Sequence, residues 1–192
     1  SEMCIRDRSC AYLALNLKRG DQIITTPRSF IATASSAVLL GLEPIYADVD
    51  LNSGAIKAET IAPLLNKKIK AIVVVHLAGW PADMRNIVKL AEEHSIPIIE
   101  DCSQAHGAKI NGKMVGTFGE IATWSFCQDK IISTGGEGGM LTTNNLNIYD
   151  DLLFNINESL ENLTNKAINK NIQKDKIIWD PGIGFSKDTN QN

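Results

Sequence analysis

The chain has 192 residues, 44% hydrophobic and 21% charged, a balance that suits one soluble globular domain with its own core. Net charge is −3 and the basic residues are dispersed apart from Lys67, Lys68 and Lys70, so no nucleic-acid-binding face is expected. No apolar run approaches the about 20 residues that span a bilayer, and the N-terminus lacks a signal peptide's apolar stretch, which points away from membranes and towards the cytoplasm.

Taken in chain order, residues 1–8 (SEMCIRDR) fit no element and are set aside as a non-native leader. Ala11 to Leu17 form a short helix that stops before Gly20. Ile23–Thr26 is an apolar run that reads as a strand. Ser29 is placed to cap a helix through Ala34, Val38 and Leu39, ending at Gly41. Pro44–Val49 is strand-like and Glu59–Leu65 helical. Lys70–Val75, apolar on both faces, is the strongest strand of all. Asp83 opens a helix through Ile87, Leu90 and Ala91. Pro97–Glu100, Ile121–Phe126 and Gly139–Thr143 complete the strands. Such alternation predicts an α/β fold, a mostly parallel sheet with helices on both faces. Residues 9–154 are assigned to this domain, and 155–192 to an irregular or partly helical tail. The four cysteines (Cys4, Cys10, Cys102, Cys127) have neither zinc nor redox spacing and read as unpaired thiols.

Ligands of such sheets bind at the carboxyl ends of the strands, which directs attention to three stretches. Asp101, directly after the strand PIIE, can face a positively charged ring nitrogen; a helix cap or Mg²⁺ ligand is the competing reading. Lys130 follows the strand IATWSF. Beside a crevice it can be desolvated, as a Schiff-base nucleophile requires, although an isolated lysine is ordinarily a solvated surface charge. Ser125, in the same stretch, can donate to a phosphate or fill a polar slot. Gly135-Gly136-Glu137-Gly138-Gly139 lets the backbone approach a ligand or take positive φ, or is simply a flexible turn. It is no dinucleotide fingerprint, because MLTT after it reads as a strand rather than a helix. An acid after one strand, a lysine after another and then a glycine turn suit pyridoxal 5'-phosphate (PLP), which needs an imine-forming lysine, an acid at its ring nitrogen and phosphate donors.

The stretches RSFIATASSAVLLGLEPIYADVD, VHLAGWPADM, EDCSQAHGA and SFCQDKIISTGGEGGM, in that order, resemble the DegT/DnrJ/EryC1/StrS sugar aminotransferases. The resemblance covers about residues 9–154. It implies the large PLP-binding domain of the fold type I transferases, with the C-terminal small domain missing and a homodimer in the full-length protein. By the same resemblance Lys130 holds the cofactor covalently and Asp101 keeps its ring nitrogen protonated. Gln104 lies near the ring hydroxyl, Ser125 binds the phosphate and Phe30 stacks on the ring, unless Phe30 is plain core packing. His76, Trp80 and His106 lie in matching stretches and are read as structural. The implied reaction moves an amino group from an amino acid, with glutamate the expected donor, to a nucleotide-linked keto-sugar. Two features depart from the family: its Gly-Thr phosphate loop falls here on Asp7 and Arg8, and its pattern is lost beyond Phe154. The alternatives are another fold-type-I enzyme, such as a lyase, and a non-catalytic α/β binding module.

Overall fold

The computed structural model describes residues 2–177. Its centre is a six-stranded sheet in the order β2-β1-β3-β4-β7-β8. Strands β1 (Gln22–Thr25), β2 (Glu43–Tyr46), β3 (Ile69–Val75), β4 (Ile98–Asp101) and β7 (Ile121–Ser125) run parallel, and β8 (Gly139–Thr142) closes the edge antiparallel to β7. All six were legible as apolar runs between turn residues.

The helices are α1 (Glu2–Ala14), α2 (Ala32–Leu39), α3 (Ala58–Ile61), α4 (Met84–Glu93) and α5 (Leu146–Ile168). Successive strand residues point to opposite faces, and the core divides accordingly. Ile72, Val74 and Ile98 bury one way, with Ile61 of α3 and Met84 and Ile87 of α4. Ala71, Val73 and Ile99 bury the other way, with Ala11 and Tyr12 of α1, Ala37 of α2 and Ile148 of α5. The parallel sheet is therefore covered on both faces, as its two-sided apolar strands require.

Several boundaries differ from the sequence reading. Residues 2–8, set aside as a leader, are helical here: α1 continues towards the N-terminus of Ala11 while packing across α2, α5, β7 and β8. Helix α5 runs unbroken through position 154, where the domain boundary was drawn, and residues 178–192 of the expected tail lie outside the described residues. Helix α2 starts later than expected; Ile31 is its N-cap, while the Ser29 hydroxyl bonds Thr33 Oγ1 at 2.9 Å. A hairpin of β5 (Lys109–Ile110) and β6 (Lys113–Met114) was missed, although its signal was present. Asn111 and Gly112 both take positive φ (50° and 84°), as a two-residue type I′ turn demands.

Candidate active site

The carboxyl ends of β1, β3, β4 and β7 open on one side of the sheet. A cavity of about 360 Å³ there is lined by Arg8, Ser29, Phe30, Asp101, Gln104 and Lys130, among others. The acid and the lysine singled out from sequence thus face the same space. Lys130 is half-buried, in the loop that leaves β7. The base of that loop is closed by backbone bonds from Phe126 N to Gly138 O (2.8 Å) and from Thr134 N to Phe126 O (3.1 Å). Phe30 lines the cavity while half exposed. The Gln104 side chain accepts from Ala78 N at 2.6 Å, which ties the turn after β3 to the site. Ser125 is buried at the last position of β7, outside the lining of the cavity. The glycine run opens on a turn, with Gly135 at φ 80° and open space beside it, and closes tightly: a Cβ on Gly139 would stand 1.6 Å from the Asp7 carboxylate.

Asp101 is the most heavily bonded group of the site. Its Oδ2 accepts from Arg8 Nε (2.8 Å), Arg8 Nη2 (2.7 Å) and Thr33 Oγ1 (2.9 Å), and its Oδ1 accepts from Ser103 N (3.2 Å). Arg8 Nη2 also donates to Ser103 Oγ at 3.0 Å. The ion pair is almost inaccessible, with 4% of Arg8 and 2% of Asp101 exposed. Burial pushes the Asp101 carboxyl up, but the Arg8 charge and the bonds from Ser103, Arg8 and Thr33 outweigh it and hold Asp101 below the ordinary range. Neither Arg8 nor Thr33 was identified from sequence. Arg8 lies 93 positions from Asp101, and no local pattern signals such a pair.

One residue back along β4, Glu100 points to the opposite face and is fully buried. Its carboxylate accepts from Gly116 N (2.8 Å), Phe118 N (2.6 Å), Gly119 N (2.7 Å) and His76 Nε2 (3.0 Å). Because His76 Nδ1 accepts from Ala82 N at 3.1 Å, the imidazole proton resides on Nε2 and is donated to Glu100. Burial raises the Glu100 pKa, and these bonds bring it net below its usual value. Cys102 completes a close trio with His76 and Glu100, but burial and the two neighbouring carboxylates push its thiol far upward. A neutral thiol beside a histidine and a carboxylate already engaged with protein partners makes a sealed polar core, not an open metal site. His106 is half-buried, its ring 5.6 Å from that of Trp124 and 5.3 Å from that of Phe126. Trp80 is mostly exposed.

A parallel α/β sheet with a lysine, an acid and an aromatic ring around one crevice at its carboxyl edge is the arrangement of a fold-type-I, PLP-dependent transferase. Residues 9–186 match the DegT/DnrJ/EryC1/StrS aminotransferase family, and the chain belongs to that family. The match runs past Phe154, where the sequence reading lost the pattern. The chain is 43% identical over 143 residues to GDP-perosamine synthase of Escherichia coli O157:H7, covering 74% of this chain and 39% of that protein. Among solved structures, the aminotransferase from Psychrobacter cryohalolentis superposes with a TM-score of 0.77 at 50% identity, over 79% of this chain and 38% of its own. NtdA from Bacillus subtilis, described with bound cofactor PMP, superposes at 0.72 with 29% identity, over 78% of this chain and 33% of its own. The chain thus spans about two fifths of the length of the relatives it matches.

The residues around the cavity fit PLP in type. Lys130 supplies the amine, Phe30 a ring face, Gln104 an amide and Asp101 the acid. They disagree with it at one point: the Asp101 carboxylate is already engaged by Arg8.

Proposed function

We propose that the protein to which this chain belongs transfers an amino group from an amino acid, glutamate being the expected donor, to the keto group of a nucleotide-linked sugar. The observation that carries this reading is the placement of Lys130 and Asp101 on one cavity at the carboxyl edge of the sheet, in a chain of an aminotransferase family. The name of its relative GDP-perosamine synthase supports the substrate class. PLP, when bound, supplies an electron sink for the carbon that gains or loses the amino group.

Within this chain the proposed roles divide by position. Lys130 would hold the cofactor through its side-chain amine, and that amine would carry the proton as base and then as acid. The Asp101 carboxylate, held ionised, is matched to a protonated ring nitrogen and gains strength from its dry surroundings. Phe30 would offer its face to the ring and Gln104 a hydrogen bond to its hydroxyl. Ser125 is proposed as a phosphate ligand, reached through the end of β7. A homodimer in the cytoplasm is the proposed working state. The free cysteines Cys102 and Cys127 support a reducing compartment, and among the described residues no helix is long and apolar enough to cross a membrane.

The test is to incubate the full-length protein with PLP, reduce with borohydride and map the labelled peptide by mass spectrometry. A stoichiometric label on Lys130 is expected. Label spread over surface lysines, or none, would overturn the assignment.

A further inference from the structure

We propose that Ala78 is a positioning residue of the cavity: its backbone N–H turns the side-chain amide of Gln104 so that the NH2 end, and not the carbonyl, is offered to the ligand. This rests on the reading of Gln104 as the residue at the cofactor's ring hydroxyl. It adds which way the amide must face and what holds it there.

Three observations carry it. The first is the bond itself, from Ala78 N to Gln104 Oε1 at 2.6 Å. An N–H needs an acceptor, so the amide oxygen has to lie on that side and the nitrogen on the other. Gln104 lines the cavity and Ala78 does not, so the backbone acts from outside the space a ligand would enter. The second is the conformation of the turn. Ala78 lies in the left-handed region (φ 53°, ψ 25°), which residues with a Cβ rarely adopt. Gly79 follows at φ 81°, where a Cβ would stand 3.2 Å from the Gln104 backbone oxygen, so the turn also passes closely over the Gln104 main chain. The third is the anchor. His76 accepts from Ala82 N through Nδ1 (3.1 Å), engages Glu100 through Nε2 (3.0 Å) and donates its backbone N–H to Asp101 O (3.1 Å). One residue thereby closes the segment 76–82 and fastens it to β4, the strand whose continuation carries Gln104. The end of the amide left for the cavity can only donate, which suits a ring hydroxyl that has lost its proton.

The probes are PLP and its 3-deoxy analogue, which has hydrogen in place of the ring hydroxyl, each offered to the full-length protein. The readouts are the ratio of the two affinities, by equilibrium dialysis, and the borohydride label on Lys130. Comparing the ratio between chains cancels whatever the hydroxyl contributes without Gln104. Ala78 is exposed, so Ala78→Val leaves the core alone, but a β-branched residue is driven out of the left-handed region and takes the N–H away from Gln104. The preference for PLP should fall about tenfold, as for a lost hydrogen bond to a charged acceptor. Gln104→Ala should cause the same fall, and adding Ala78→Val to it should cause no more. Ala78→Gly, which keeps the left-handed turn, should retain the parent ratio. A residue that merely stiffened the loop would alter the melting point and leave the ratio untouched. Circular dichroism checks folding, and Ala78→Thr, also β-branched, replaces Ala78→Val if that variant is not folded.

An unchanged ratio in Ala78→Val, or a further fall in the double variant, would overturn the inference. An unchanged ratio in Gln104→Ala overturns it too, by removing Gln104 from the hydroxyl. In each case a Lys130 label leaves the proposed function standing. Absence of the label from every chain, parent and variants alike, sinks both.

Discussion

Asp7 and Asp101 both feel the Arg8 guanidinium, yet their surroundings drive them in opposite directions. Asp101 is met by donors on both oxygens and stays ionised. Asp7 is pressed against the backbone of Gly139 with its Oδ2 unpartnered. Burial therefore dominates: it pushes the Asp7 carboxyl up to about 7, with the Asp101 charge adding and the Arg8 charge only partly opposing. The sign of the linkage follows. Folded Asp7 keeps its proton up to about pH 7, whereas in the unfolded chain the proton is lost near the ordinary value of 3.8. Between these limits the folded state binds the extra proton, so Asp7's contribution to stability falls as pH rises and levels off above 7. Asp7→Asn should remove this loss. Compared with the parent by urea unfolding, it should be more stable by about 2–4 kcal/mol at pH 8, with the difference shrinking towards pH 4. A difference that stays constant across that range would show that Asp7 is ionised in the fold.

Strand β4 delivers two acids to two different tasks by alternation alone. Glu100 belongs to the α4 side of the sheet, where it fastens the 116–119 turn and His76, and Asp101 belongs to the α1 side, where it meets Arg8 and Thr33. Glu100→Ala would strand the backbone donors of Gly116, Phe118 and Gly119 together with His76 in a dry interior. The expected loss is about 3–5 kcal/mol, seen calorimetrically as a melting point lower by roughly 6–20 °C. A drop of only a degree or two would mean that water replaces the carboxylate. The six main strands could be read from sequence because each is a short apolar run bounded by turn residues, and Asp101 and Lys130 could be read because strand ends point into the crevice. The purpose of Glu100 could not. An acid next to another acid gives no local sign of which face it takes or of the loop that will satisfy it. Arg8 was hidden for a similar reason, since its partner is far away in sequence and its helix has little amphipathic pattern of its own.

Across the whole described molecule, apolar side chains remain uncovered around the crevice. Ile31 follows Phe30 at the start of α2 and is 70% exposed; Ile131 and Ile132 follow Lys130 and are 73% and 56% exposed. Phe30 and Lys130 line the same cavity, and these isoleucines are their immediate neighbours in the chain. A contiguous apolar patch on a small domain is a driving force for association, because each Å² removed from water contributes about 25 cal/mol. The 192-residue chain is therefore expected to self-associate through this rim, with the sedimentation-averaged mass rising as concentration is raised through the micromolar range. Ile131→Lys with Ile132→Lys should lower that tendency without altering the core, since both positions face solvent. If the double variant associates as strongly as the parent, the contact lies elsewhere, and the exposed face of α2, where Val38 and Leu39 stand out from the helix, becomes the next surface to charge. A parent that stays monomeric at every concentration would mean that the loop after Lys130 folds back over its own isoleucines in solution.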